Sequence, residues 1–146
     1  MLFRSTSPNT LTGGSENDTI NGFGGNDTLT GNAGNDLLDG GNHDDILFGG
    51  NGADTLIGGT GADQFTGGPG DDLIDGVNLG DDADDSSIDI AYYSGNYADY
   101  EITATGTGTS LVWTVTDLNP GDGNDGTDTL HDIEVLDFAE IGRAHV

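Results

Sequence analysis

From Gly13 to Asp75 the chain alternates between polar, glycine-rich stretches and large apolar residues that return every nine positions. Seven nonapeptides follow one another without a gap: GGSENDTIN, GFGGNDTLT, GNAGNDLLD, GGNHDDILF, GGNGADTLI, GGTGADQFT and GGPGDDLID. Gly opens each unit. Asp holds the sixth place (Asp18, Asp27, Asp36, Asp45, Asp54, Asp63, Asp72), and a large apolar residue the eighth (Ile20, Leu29, Leu38, Leu47, Leu56, Phe65, Ile74). The last three places read as a very short strand whose middle side chain alone faces a core. The first six are rich in Gly, Asn and Asp, residues that turn the chain and tolerate positive φ. Strand and turn in strict repetition predict an all-β fold, a right-handed parallel β-roll in which two nonapeptides close one coil. The eighth-place residues of the two sides should then meet in a thin interior column.

The pattern weakens at both ends. Asn9 and Leu11 fall in the sixth and eighth places of a unit before Gly13, so residues 1–12 read as a degenerate capping segment. The roll is expected over residues 13–80, because Gly76 and Asp81 keep the opening Gly and the sixth-place Asp of a failing unit. Asp81, Asp82, Asp84 and Asp85 make residues 81–87 an acidic linker. From Ile88 the spacing becomes that of ordinary strands, with Ile88, Ile90 and Tyr92 alternating, then Tyr100, Ile102 and Ala104, then Leu111, Trp113 and Val115. Gly106 to Thr109 reads as a turn, and Leu136 with Phe138 as a last strand. Residues 88–140 are therefore expected to form a small antiparallel β cap with an aromatic core over the open end of the roll. Residues 141–146, IGRAHV, resemble the conceptual translation of a widely used DNA sequencing adapter, and are expected to be an artefact replacing a natural chain that continued past about Glu140.

Charge changes the picture. The formal net charge is -25 and the chain has no lysine. So thin a column cannot offset the entropy of ordering many glycines, and stacked carboxylates repel unless a cation lies between them. Ca²⁺ takes six to eight oxygens, and a turn with bare carbonyls and one carboxylate supplies part of that shell. Because a coil takes two repeats, one edge should carry Asp18, Asp36, Asp54 and Asp72 and the other Asp27, Asp45 and Asp63. The gaps between stacked turns give about five complete calcium sites, with folding coupled to metal binding. Asn9 opposite Asp27 and Asp81 opposite Asp63 are weaker candidates. Asp128 is a third: Gly123 to His131, GNDGTDTLH, repeats the spacing once, although alone it is half a site. An EF-hand there is excluded, because Gly126 stands at the third ligand position and Ile133 at the twelfth. Disorder and a merely solvated acidic face are the competing readings, and neither accounts for an apolar residue every nine positions.

Residues 13–75 resemble the RTX (repeats-in-toxin) hemolysin-type calcium-binding proteins. Tyr92 to Gly95, Tyr97 to Tyr100, Val115 to Asp117 and Gly126 to Leu130 with Ile133-Glu134 resemble the β-rich segment that often follows such repeats. The resemblance implies a parallel β-roll, calcium between turns, a secreted or cell-surface location, and export through a type I secretion apparatus that reads an uncleaved C-terminal signal. The departures lie in the turns, with Glu16 and His43 at the fourth place and Phe23 and Asn32 at the second.

Other classes fare worse. Acid pairs such as Asp44-Asp45 and Asp71-Asp72 suggest acid–base chemistry, but the sixth-place partner is committed to calcium, and HExxH, GxSxG and Cys nucleophiles are absent. His43 and His131 stand isolated, and no catalytic residue is expected. The acidic balance disfavours nucleic acid and anionic membrane surfaces as partners. No apolar run approaches membrane-spanning length. Without Cys, metal is the only staple. The expected function is a calcium-binding module that folds after export, part of a larger bacterial protein. The alternative is a calcium-rigidified adhesin or surface-binding solenoid, although third-place residues from Ser15 to Pro69 form no matching row.

Overall fold

The computed structural model describes residues 5–77, 87–107, 111–119, 121 and 124–140. Eight strands wind through the repeats: β1 (Thr10–Thr12), β2 (Thr19–Asn21), β3 (Thr28–Ala33), β4 (Leu37–Asn42), β5 (Ile46–Asn51), β6 (Thr55–Thr60), β7 (Gln64–Thr66) and β8 (Leu73–Asp75). Five more follow: β9 (Ile90–Asn96), β10 (Tyr100–Thr105), β11 (Val112–Asp117), β12 (Thr127–His131) and β13 (Val135–Glu140). Odd and even strands of the repeats separate into two sheets. One runs β1-β3-β5-β7-β9-β13, the other β10-β11-β12-β8-β6-β4-β2. This is a parallel β-solenoid of about 4 turns joined to a mixed part.

Pairing within each sheet is place for place. Leu11, Leu29, Leu47 and Phe65 stand in line on one sheet, and Ile20, Leu38, Leu56 and Ile74 on the other. Leu29, Leu38, Leu47 and Leu56 are fully shielded from solvent, whereas Leu11 and Ile20 at the open end are partly buried. The seventh and ninth places point outward because the strand period is two. Each coil therefore has little more than two eighth-place side chains for a core. Each fully buried Leu contributes about 1.5–3 kcal/mol.

The last strands are woven into the roll. β9 pairs in parallel with β7, β13 with β9, and β12 with β8. The antiparallel part is β10–β11–β12 alone. Ala91 and Leu136 continue the first column and Leu130 the second. Over them Tyr93, Tyr100 and Phe138 pack as a buried aromatic cluster, with Tyr93 stacked on Phe138 at 5.3 Å and edge-on to Tyr100 at 5.3 Å. The expected aromatic core of the C-terminal segment is present.

One expectation fails by a single residue. Ile88, Ile90 and Tyr92 do not form the inward row: Ala91 and Tyr93 are buried, and Ile88 is 57% exposed before the strand begins. A shift of one residue exchanges the two faces of a strand. The phase is set by Asp89, which stands in the sixth place before β9, accepts the N–H of Asp63, and so makes Ala91, opposite Phe65, the eighth. Asp81, most of the acidic linker and residues 141–146 lie outside the described residues.

Leu47→Ala is expected to cost about 2–5 kcal/mol, because a column one side chain wide cannot collapse around the gap. Ile88→Ala should stay within about 0.5 kcal/mol. Urea unfolding followed by circular dichroism measures both, and equal losses would contradict this core.

Candidate metal centre

Each turn brings the carboxylate of the sixth place beneath the glycine that opens its own repeat. A Cβ on Gly49 would lie 2.5 Å from Asp54 Oδ2 and 2.7 Å from the Gly67 carbonyl oxygen of the next coil. The same pair of oxygens meets Gly13, Gly22, Gly31, Gly40 and Gly58 in their repeats. The missing side chain at the first place thus makes room for a carboxylate and a main-chain carbonyl from adjacent coils. The second and fourth places turn the chain through left-handed backbone, as at Gly50 (φ 114) and Gly52 (φ 135). Phe23 (φ 71), Asn32 (φ 82) and His43 (φ 78) hold that conformation without being glycine, at roughly 1–2 kcal/mol each. The first repeat differs, since neither Gly14 nor Glu16 has positive φ.

The aspartates stand along two edges, as the two-repeat coil requires. On one, the backbone N–H of Asp18 donates to Asp36 Oδ1 (2.7 Å), that of Asp36 to Asp54 (2.8 Å), and that of Asp54 to Asp72 (2.8 Å). On the other, Asp27 donates to Asp45 and Asp45 to Asp63, both at 2.7 Å. Asn9 enters the second row beneath Asp27, and both its backbone N–H (2.7 Å) and its amide Nδ2 (3.1 Å) donate to Asp27 Oδ1. The rows also continue upward. Asp72 N donates to Asp128 Oδ1 (2.9 Å), Asp63 N to Asp89 Oδ1 (2.7 Å), and Asp89 N to Glu134 Oε2 (2.8 Å).

One carboxylate oxygen is thereby spent on the neighbouring coil. The other has nothing: Oδ2 of Asp27, Asp36, Asp45, Asp54 and Asp72 is buried without a hydrogen-bond partner. An unsatisfied buried acceptor costs about 1–3 kcal/mol, and more when charged. Burial accordingly raises the pKa of Asp54 above the ordinary value, of Asp45 to about 6, of Asp72 to about 7 and of Asp128 to about 8. The accepted N–H opposes this rise, and the carboxylate of the adjoining coil adds to it. The only Lys or Arg residues, Arg4 and Arg143, lie outside the described residues. Among the described residues no three acidic or histidine side chains converge on a point. A cation between these turns must therefore draw most of its oxygens from carbonyls, which suits a hard ion such as Ca²⁺.

The family model for the RTX calcium-binding nonapeptide repeat (4 copies) matches residues 5–38, 21–56 and 48–84, more than half of the chain. The chain belongs to that family. No curated protein matches it. The RTX repeat is a structural calcium-binding unit rather than a catalytic one, so the acid pairs at Asp44-Asp45 and Asp71-Asp72 belong to turns. Sequence reasoning missed Asp89 and Glu134, and undervalued Asp128. Asp89 follows Asp63 by 26 residues and Asp128 follows Asp72 by 56, whereas tandem partners are 18 apart. The available signals were Asp-x-Ala at 89–91 and the isolated nonapeptide at Gly123.

Two outcomes test this geometry. Gly49→Ala should destabilise the fold by about 1–3 kcal/mol through overpacking, whereas Gly14→Ala, whose Cβ would meet nothing nearer than 3.8 Å, should be tolerated. The second concerns pH. A carboxyl whose pKa is raised on folding takes up a proton as the chain folds. Its stabilising effect is full below the unfolded value of 3.8 and lost as pH rises through about 6, 7 and 8 for Asp45, Asp72 and Asp128. Metal-stripped protein should therefore resist urea best near about pH 4 and progressively less up to about pH 8. A urea midpoint that climbs over this interval would contradict the buried carboxylates.

Proposed function

We propose that this RTX chain is a calcium-dependent folding module, with ions held between stacked turns by Asp18, Asp27, Asp36, Asp45, Asp54, Asp63 and Asp72 together with turn carbonyls. The observation that carries this reading is the set of buried, unpartnered Oδ2 atoms beside the first-place glycines. In water those oxygens are solvated at no cost. In the coil they are desolvated and repelled by the next carboxylate, so the folded state needs a counter-ion that the unfolded state does not. Each bound ion stabilises the fold in proportion to ln(1 + [Ca²⁺]/Kd), about 2.7 kcal/mol per site at a hundredfold excess over Kd. Extracellular calcium modules bind at about 10⁻⁴ to 10⁻³ M. A chain tuned to that range stays unfolded in a calcium-poor cytoplasm and folds outside.

That thermodynamic switch suits export in an unfolded state. We place the chain as a piece of a larger secreted or cell-surface protein that leaves by a type I apparatus, in keeping with the secreted habit of RTX proteins and the absence of Cys. No helix among the described residues is long and apolar enough to cross a membrane. Asn9 is a weak ligand, because its amide already donates to Asp27. Asp81 lies outside the described residues, and its place above Asp63 is filled by Asp89.

At about pH 8, where the raised carboxyls have lost their protons, metal-free protein should give the far-UV spectrum of a disordered chain, and millimolar Ca²⁺ should convert it to that of β-structure. Calorimetry should count about five ions in the tandem coils, with at least one lost in Asp54→Asn. Identical spectra with EGTA and with Ca²⁺, or a stoichiometry of zero, would end this reading.

A further inference from the structure

The turn that follows repeat seven in space does not follow it in sequence. Asp128 lies above Asp72 although it comes 56 residues later, and the match runs from the fourth place of the unit to the ninth. Thr129, Leu130 and His131 pair with Leu73, Ile74 and Asp75. At the fifth place, Thr127 N donates to Asp71 Oδ1 at 2.9 Å, as Asn35 N does to Asn17 Oδ1 at 2.9 Å in the tandem coils. At the fourth, Gly126 (φ 75) crowds the Gly70 carbonyl just as Gly70 crowds that of Gly52. Thus the segment ending in Asp128 is a true turn of the roll, delivered after a long excursion of the chain.

Asp72 supplies an independent observation. It is only 3% exposed, and its Oδ2, set under Gly67 as Asp54 Oδ2 is set under Gly49, has no hydrogen-bond partner. Were the roll to end at repeat seven, this carboxylate would open to water. Instead it is roofed by the 124–128 turn.

We infer that a divalent cation binds between the turn ending in Asp72 and the turn ending in Asp128, so that one ion clamps the C-terminal strands onto the tandem repeats. This rests on the calcium reading of the tandem turns and extends it to a site that joins two distant parts of the chain. The clamp makes docking of β12 a binding event. It also draws in β10 and β11, which reach the roll only through β12 in this sheet.

The placement of aromatic residues makes the site separately readable. Tyr92, Tyr93, Tyr97, Tyr100 and Trp113 all lie after the repeats, and residues 13–75 contain neither Tyr nor Trp. Tyr93 is buried with its hydroxyl facing Asp128. Terbium(III), substituted for calcium and excited through Tyr and Trp, therefore reports an ion at this end of the roll. Asp128→Asn should lower the calorimetric calcium count by one and remove most of the sensitised emission, while Asp36→Asn lowers the count and leaves the emission. Emission and count both unchanged in Asp128→Asn would overturn the clamp while leaving the tandem sites intact. A wild-type chain that binds no calcium would overturn the wider reading instead. Should Asp128→Asn fail to fold, Tyr93→Phe decides: emission falling at constant calcium count supports an ion beside Asp128, and unchanged emission refutes it.

Discussion

The structure depends on a carboxylate that does two incompatible things. In every repeat after the first, one oxygen of the sixth-place Asp accepts an N–H from the adjoining coil, which fixes the spacing of the turns and satisfies a backbone donor outside the strand ladder. To reach that N–H the side chain must leave water, which buries the other oxygen with its charge. The first-place Gly follows from this, since any side chain there would occupy the space of the buried oxygen. So do the left-handed second and fourth places, where a Cβ on Gly50 or Gly52 would run into the carbonyl one coil below. Three sequence constraints therefore express a single packing problem.

The core cannot settle that problem alone. A globular domain that buries charges can offset them with a wide apolar interior, but a coil of two nonapeptides has a column one residue deep on each side. The long-range pairing is extensive, yet most of it is backbone hydrogen bonding whose net contribution is modest. Neutralisation of the edges thus decides whether the coils form. A proton can do it at acid pH, and a divalent ion between turns can do it at neutral pH.

Much of this was legible in the sequence. A sixth-place Asp and an eighth-place apolar residue in seven consecutive units fix the two sheets, the two columns and the two rows, because a strict period leaves each residue one place to go. Phe23, Asn32 and His43, which looked like damage to the turns, keep the backbone of the glycines they replace, so the turn is dictated by its neighbours rather than by local preference. What the sequence hid was non-local. Asp89 lacks the Gly-rich lead of the other units, and its eighth place is Ala91, too small to signal a core. Alternation alone therefore favoured Ile88, Ile90 and Tyr92, and the face came out inverted. Nothing in local sequence says that GNDGTDTLH will dock on repeat seven across so long an excursion; only the unfilled edge of β8 and the buried charge of Asp72 ask for it.

A parallel solenoid also has to stop, because each sheet edge can pair with another chain. The first described strands, β1 and β2, are only three residues each, so the edges they present are short. At the other end the chain changes rule. β11 meets β12 antiparallel, which reverses the strand, and among the described residues no further turn stands in line above Asp128. On the sheet that ends in β9 and β13, Glu134 replaces Asp as the acceptor for Asp89 N, and the Asp132 carbonyl, on a residue with φ 51, takes the place beside Gly76 that a first-place Gly fills elsewhere. The longer side chain reaches the same N–H from a turn of different shape, so the row closes without starting another coil. The Tyr93, Tyr100 and Phe138 cluster then seals the end of the columns. The strands after the repeats thus act less as a lid placed on the roll than as its last coils, built from a sequence with a different period.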